Sequence, residues 1–203
     1  MSMFKKKKQD TDQEQKLTWQ QRLVEDLRDL VYVLAGFMII YMLFFRSVVV
    51  VGPSMYDTLK DGDRLLLLSS MVYREPKQGD IVVASKESFR HGECIVKRVI
   101  ATEGQEVWID FNEGIVYVDG IPLKEEYTHT LTTLEEGMIF PQTVPEGKVF
   151  VLGDNRNSSS DSRNPQIGFI DKREILGKAI FLISPGTHGG TEEKDFGRIG
   201  AID

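Results

Sequence analysis

Apolar positions in this chain follow two unlike patterns. From Leu30 to Phe45 sixteen residues, LVYVLAGFMIIYMLFF, run without a charge, and a helix built on them is apolar on every face. Sixteen helical residues reach about 24 Å, against a bilayer hydrocarbon core of about 30 Å. The run resumes at Val48–Val51 after Arg46 and Ser47; an arginine near a helix end can snorkel, which brings the usable length up to a span. A soluble core helix rarely lacks a polar face, and no Ala-x-Ala site follows the run as in a cleaved signal peptide. The expectation is a retained transmembrane anchor over 30–47.

After residue 50 the helical stripe is missing. Short β-rich runs bounded by Gly, Asp and Pro take its place: Arg64–Leu68, Asp80–Ala84, Cys94–Ala101, Glu106–Phe111, Ile115–Val118, Lys148–Leu152 and Ala179–Ile183. Val107, Ile109 and Phe111 alternate as one half-buried face does. Asn112-Glu113-Gly114 suits a hairpin loop and Asp119-Gly120 a type I′ turn. Seven short strands with tight turns predict a mainly β fold, a sandwich or barrel. Residues 124–147 are polar and irregular, an expected inserted loop. The tail from Pro185 to Asp203 carries five glycines and is expected to pack loosely.

Charge adds a topology. The 203 residues hold 25 Lys+Arg and 31 Asp+Glu, a net charge of -6. Residues 1–46 contain eight basic and six acidic side chains, which leaves -8 for residues 47–203. The balance argues against nucleic acid as the partner. Near the span, Lys16, Arg22 and Arg28 face Arg46, Lys60 and Arg64, and Lys5–Lys8 tip the count toward a cytoplasmic N-terminus. The expected organisation is a basic cytoplasmic tail over 1–29, the anchor over 30–47 and an extracytoplasmic β domain over 48–203. One cysteine, Cys94, excludes an intrachain disulfide framework and reads as a small packing residue.

Most familiar chemistries are absent. His91, His129 and His188 are scattered without metal-ligand spacing and read as surface residues. Gly52-Pro53-Ser54 lacks the last glycine of a nucleophile elbow, and the only S-x-x-K, Ser2 to Lys5, lies in the polar leader. No Gly-rich phosphate loop is present. Three unusual segments remain: Gly52-Pro53-Ser54-Met55-Tyr56-Asp57-Thr58-Leu59; Lys97-Arg98-Val99-Ile100, a lysine inside a strand; and the polar loop Gly153-Asp154-Asn155-Arg156-Asn157-Ser158-Ser159-Ser160-Asp161-Ser162-Arg163. Singly, each reads as a turn hydroxyl, an outward edge lysine or a solvated connection.

Together they resemble the type I signal peptidase family, the membrane-bound serine–lysine proteases. Ser54–Leu59, Gly62-Asp63-Arg64-Leu65, Lys97–Ile100, Gly153–Arg163 and Arg198-Ile199-Gly200 fall in the family's order. The resemblance implies that Ser54 is an acyl nucleophile, that Lys97 is its general base, and that the Ser54 backbone N–H supports the oxyanion. It implies that Ser159 hydrogen-bonds and orients Lys97, that Asp161 and Arg163 form a structural ion pair, and that Arg98 points to the opposite face and stays charged. Asp154 and Asn155 are expected to fix the loop turn. No metal or cofactor is implied. The implied partners are exported preproteins, cut after small residues in an Ala-x-Ala pattern, and membrane lipid. Val48–Val51 and Met55 are candidates for an apolar groove or a lipid-facing surface.

Lysine in water has a pKa near 10.4, so a base role requires burial that disfavours its charge; Ile95, Val96, Val99 and Ile100 can provide it. This chain departs from the family pattern at Gly52, where some members carry a second oxyanion donor, at Asp57, usually proline, and over Ala101–Gln105. Those departures keep open a catalytically inactive relative that binds or assembles. A self-cleaving repressor with the same dyad needs a DNA-binding domain, which the apolar N-terminal run argues against.

Overall fold

The computed structural model describes residues 19–89, 92–187 and 193–202. The chain divides into two compact units after Met42. The described part of the first belongs to helix α1, which runs Trp19–Phe44 and has no buried residue. Its 26 residues extend about 39 Å, long and apolar enough to cross a membrane by length and composition. The helix begins eleven residues before the uncharged run because the intervening Gln, Arg, Leu and Glu are good helix formers. Lys5–Lys8 and Lys16 lie outside the described residues.

The second unit is mainly β. Residues 45–47, expected in the anchor, instead open strand β1 (Phe45–Val49), with Arg46 opposite Leu67 and Ser47 opposite Leu66 on β2 (Arg64–Ser69). Sheet pairing satisfies this backbone, and the β-branched Val48 and Val49 suit it. The remaining strands are β3 (Ile81–Ser85), β4 (Cys94–Thr102), β5 (Glu106–Asp110), β6 (Ile115–Val118), β7 (Ile121–Pro122), β8 (Gln142–Thr143), β9 (Lys148–Leu152), β10 (Ile170–Asp171), β11 (Ile175–Ser184) and β12 (Gly200–Ala201).

The larger sheet runs β1-β2-β11-β3-β4-β9-β10, with β12 also paired to β11, and the smaller runs β7-β6-β5-β8. Every strand pair is antiparallel. The two turns read from the sequence are where they were expected. Gly114 closes the β5–β6 hairpin with φ 73°, and Asp119 and Gly120 join β6 to β7 with φ 52° and 75°, the signs a type I′ turn requires.

Three apolar clusters fill the unit. One lies around Val82, Val99, Val151 and Ile170, and a second around Met55, Leu59, Leu65 and Leu67. The third joins the sheets through Ile100, Val107, Val116, Phe150 and Leu152. The tail is packed more firmly than its glycines suggest. Pro185 and Gly186 are buried, β12 pairs with β11, and Arg198 forms an ion pair with the buried Asp63 at 2.6 Å.

Candidate active site

Ser54 sits in the turn between β1 and β2. That turn is closed by Val50 N–H donating to Asp63 O and Gly62 N–H to Val50 O, at 2.8 and 2.9 Å. Gly52, at φ 88°, donates its N–H to Asp61 Oδ1 at 2.7 Å. Met55 and Leu59, each 0% exposed, pin the turn to the core. Met55 is therefore a core anchor and not part of a groove, whereas Val48–Val51 do line the cavity beside Ser54.

Lys97 lies in the middle of β4. Its cross-strand partner is Val82 and that of Arg98 is Ile81, and these belong to different core clusters, so the two cations leave opposite faces. Lys97 is 4% exposed. Its Nζ donates to Ser54 Oγ at 2.7 Å and to Val96 O at 2.9 Å. Burial pulls the Lys97 pKa down to about 8; Asp161, Asp154 and Glu136 pull it the other way, and Arg163 assists burial. The Ser54 N–H has no acceptor among the described residues.

The 153–163 loop supports the pair from below. A Cβ on Gly153 would fall 2.1 Å from Ser159 Oγ and 2.5 Å from Ser54 O, so only glycine fits there. Asn155 ties the loop to the Ser54 turn, its N–H donating to Ser54 O and its Nδ2 to Pro53 O, both at 3.1 Å. Asp161 and Arg163, both fully buried, form a two-point ion pair through Nε–Oδ1 at 2.8 Å and Nη2–Oδ2 at 2.9 Å. Asp161 Oδ2 also accepts from Gly153 N–H at 3.0 Å.

Ser159 lines the cavity, but its hydroxyl donates to Asp161 Oδ2 at 2.9 Å and makes no hydrogen bond to Lys97. An ionised carboxylate is a stronger acceptor than the amine, whose contacts go to Ser54 and Val96.

Several partners left no trace in the sequence reading. Asp154 does more than fix a turn: it accepts from Arg98 Nε and Nη2 at 2.9 Å and from Thr58 Oγ1 at 2.6 Å, joining three motif segments. Arg98 also lies 4.0 Å over the Tyr127 ring. Arg156 draws in the 124–147 loop through a close ion pair to Glu125 and a 2.8 Å bond to Thr132. Arg163 donates to Leu134 O at 2.9 Å, and Asp161 N–H to Glu136 Oε2 at 3.2 Å. His129, exposed as expected, pairs with Asp57 at 2.8 Å. His91 and His188 lie outside the described residues. Cys94 is exposed at the start of β4, on the cavity wall, and is not a packing residue.

Ser54, Lys97 and Ser159 thus share one cavity of about 620 Å³ with Val48–Val51, Leu134 and Glu136. A hydroxyl in contact with an amine that titrates near neutrality can pass its proton to that amine and attack a carbonyl. No group of three or more metal-ligating side chains occurs among the described residues.

A family model described as signal peptidase, peptidase S26, matches residues 23–184. Probable signal peptidase I-1 of Synechocystis sp. is 39% identical over 146 residues, 68% of this chain and 71% of that protein. Signal peptidase I T of Bacillus subtilis is 36% identical over 149 residues, 70% and 75% of the two chains. A solved signal peptidase I from Enterococcus faecalis V583 aligns with a TM-score of 0.41 and 31% identity, covering 51% of this chain and 96% of that one.

Proposed function

This chain belongs to the signal peptidase family, peptidase S26, and we propose that within it Ser54 is the acyl nucleophile and Lys97 the general base of signal-peptide removal. The observation that carries this assignment is the 2.7 Å contact between Ser54 Oγ and a buried Lys97 whose pKa is lowered to about 8. In the neutral form, the Lys97 amine accepts the Ser54 proton as Oγ attacks the scissile carbonyl. The resulting ammonium then protonates the leaving amine, and the neutral amine activates a water that hydrolyses the acyl-serine. The Ser54 N–H supports the developing oxyanion. Gly52 offers no side chain for a second donor, and its own N–H is engaged by Asp61.

Signal-peptide-bearing preproteins are the substrates. The Ala-x-Ala preference is assigned to shallow contacts with Val48–Val51 and neighbouring apolar side chains of the cavity. Helix α1 anchors the enzyme in the membrane, and the excess of N-terminal lysines favours a cytoplasmic N-terminus with residues 48–203 on the far side. Anchoring raises the local concentration of membrane-held substrate without any added contact.

The test is cleavage of one labelled preprotein by the full-length protein in detergent, wild type beside Ser54→Ala, with the product termini read by mass spectrometry. Wild type should release the signal peptide after a small residue, and Ser54→Ala should leave the preprotein intact. Equal cleavage by the two proteins would overturn the assignment.

A further inference from the structure

The 124–147 loop carries a carboxylate into the cavity that the reaction does not use. Glu136 lines the same cavity as Ser54 and Lys97 and is partly buried. Its Oε2 accepts from Asp161 N–H at 3.2 Å, while Oε1 accepts from no described residue. The loop is held in place by Arg156 through Glu125 and Thr132, and by Arg163 through Leu134 O, so Glu136 is presented on a fixed support.

The other charges around the site are matched. Asp161 is paired with Arg163 and Asp154 with Arg98, all four buried. Lys97 is neutral in the form that accepts the Ser54 proton. Glu136 therefore leaves the working cavity with an excess of negative charge.

We infer that Glu136 is a specificity-determining residue that favours a cationic over an anionic substrate side chain beside the scissile bond. This rests on the assignment of Ser54 and Lys97 above. The spare oxygen can accept a hydrogen bond from a lysine or arginine of the substrate, and it repels a substrate carboxylate. A single partly solvated charge acting at several ångströms changes such a preference by about tenfold. Glu135, the preceding residue, is exposed and does not line the cavity, so it serves as a control of the same charge.

The experiment compares two labelled preproteins that differ only in Lys or Glu at a residue adjoining the cleavage site, tested at the position before P1 and at the first mature position. Each is cut by full-length wild type, Glu136→Gln and Glu135→Gln in detergent at one fixed ionic strength. The kcat/KM ratio of Lys to Glu substrate should be about tenfold for wild type and Glu135→Gln at one or both positions, and fall toward one for Glu136→Gln. Because the ratio is taken on one enzyme preparation, partial misfolding of a variant cancels. A ratio unchanged by Glu136→Gln, or lowered equally by Glu135→Gln, overturns the inference, while Ser54→Ala run beside them, which should cut neither substrate, reports separately on the Ser54 assignment. A wild type that cuts neither substrate overturns both.

Discussion

Lys97→Met should leave a protein that hydrolyses preprotein about a thousandfold more slowly or not at all, yet is more stable than wild type at neutral pH. Loss of a positioned general base accounts for the rate. The stability follows from linkage. The unfolded chain holds the Lys97 proton up to about 10.4, while the folded chain holds it only up to about 8. Between those values the unfolded state binds more protons, so the Lys97 contribution to stability rises with pH through this window. Below about 8 the native protein carries a buried ammonium, and methionine removes that cost, roughly 3 kcal/mol for a shift of this size. The measurement is urea unfolding of both proteins in detergent at pH 7, beside their cleavage rates. A variant that is inactive because it has misfolded would show the opposite stability change. In wild type, kcat/KM should fall about tenfold per pH unit below about 8, since only the neutral amine accepts the Ser54 proton.

Arg163→Met should be the most destabilising single change in the 153–163 loop. The guanidinium binds Asp161 at two points and the carbonyls of Leu134 and Arg156 at 2.9 and 2.6 Å. Removing one partner of a fully buried pair leaves Asp161 charged and uncompensated, at a cost of about 3–5 kcal/mol. Lys97 should respond as well. Arg163 helps keep its pKa low and Asp161 raises it, so the acidic limb of the rate profile should move above its wild-type position in whatever fraction still folds. Adding Asp161→Asn to Arg163→Met removes the stranded charge and should recover part of the stability. Urea midpoints of the three proteins, with pH profiles where activity survives, check both effects. An Arg163→Met protein as stable as wild type, with an unmoved limb, would mean that the pair contributes neither support nor charge.

The strands legible in the sequence were those with four or more β-rich residues between clear breakers. β5 and β6 could be read from Val107, Ile109 and the turn residues around them. β1 could not, because its Phe45 and valines continue the apolar run of α1 and no change of period marks the boundary. β7, β8, β10 and β12 are two residues each and carry no periodicity at all. The tail looked loose because glycine content registers chain freedom but not the pairing of Arg198 with Asp63, 135 positions away.

The same division holds at the site. Ser54 and Lys97 were readable through motif resemblance, and the apolar residues around Lys97 offered the burial that a depressed pKa requires. The direction of the Ser159 hydroxyl was not, since it depends on which acceptor lies nearer in space. Nor were Thr58 on Asp154 and Glu125 on Arg156, whose contacts cross 96 and 31 positions of sequence. Glu136 sat inside a polar loop that sequence alone makes indistinguishable from a solvated connection.

Catalysis by Ser54 turns on the charge state of one amine. Titrating the Lys97 side chain by carbon NMR in lysine-labelled full-length protein, with Lys97→Met to assign its signal, measures that state directly. A midpoint near 8 is expected. A midpoint at about 10.4, the value of a lysine in water, would contradict the general-base assignment.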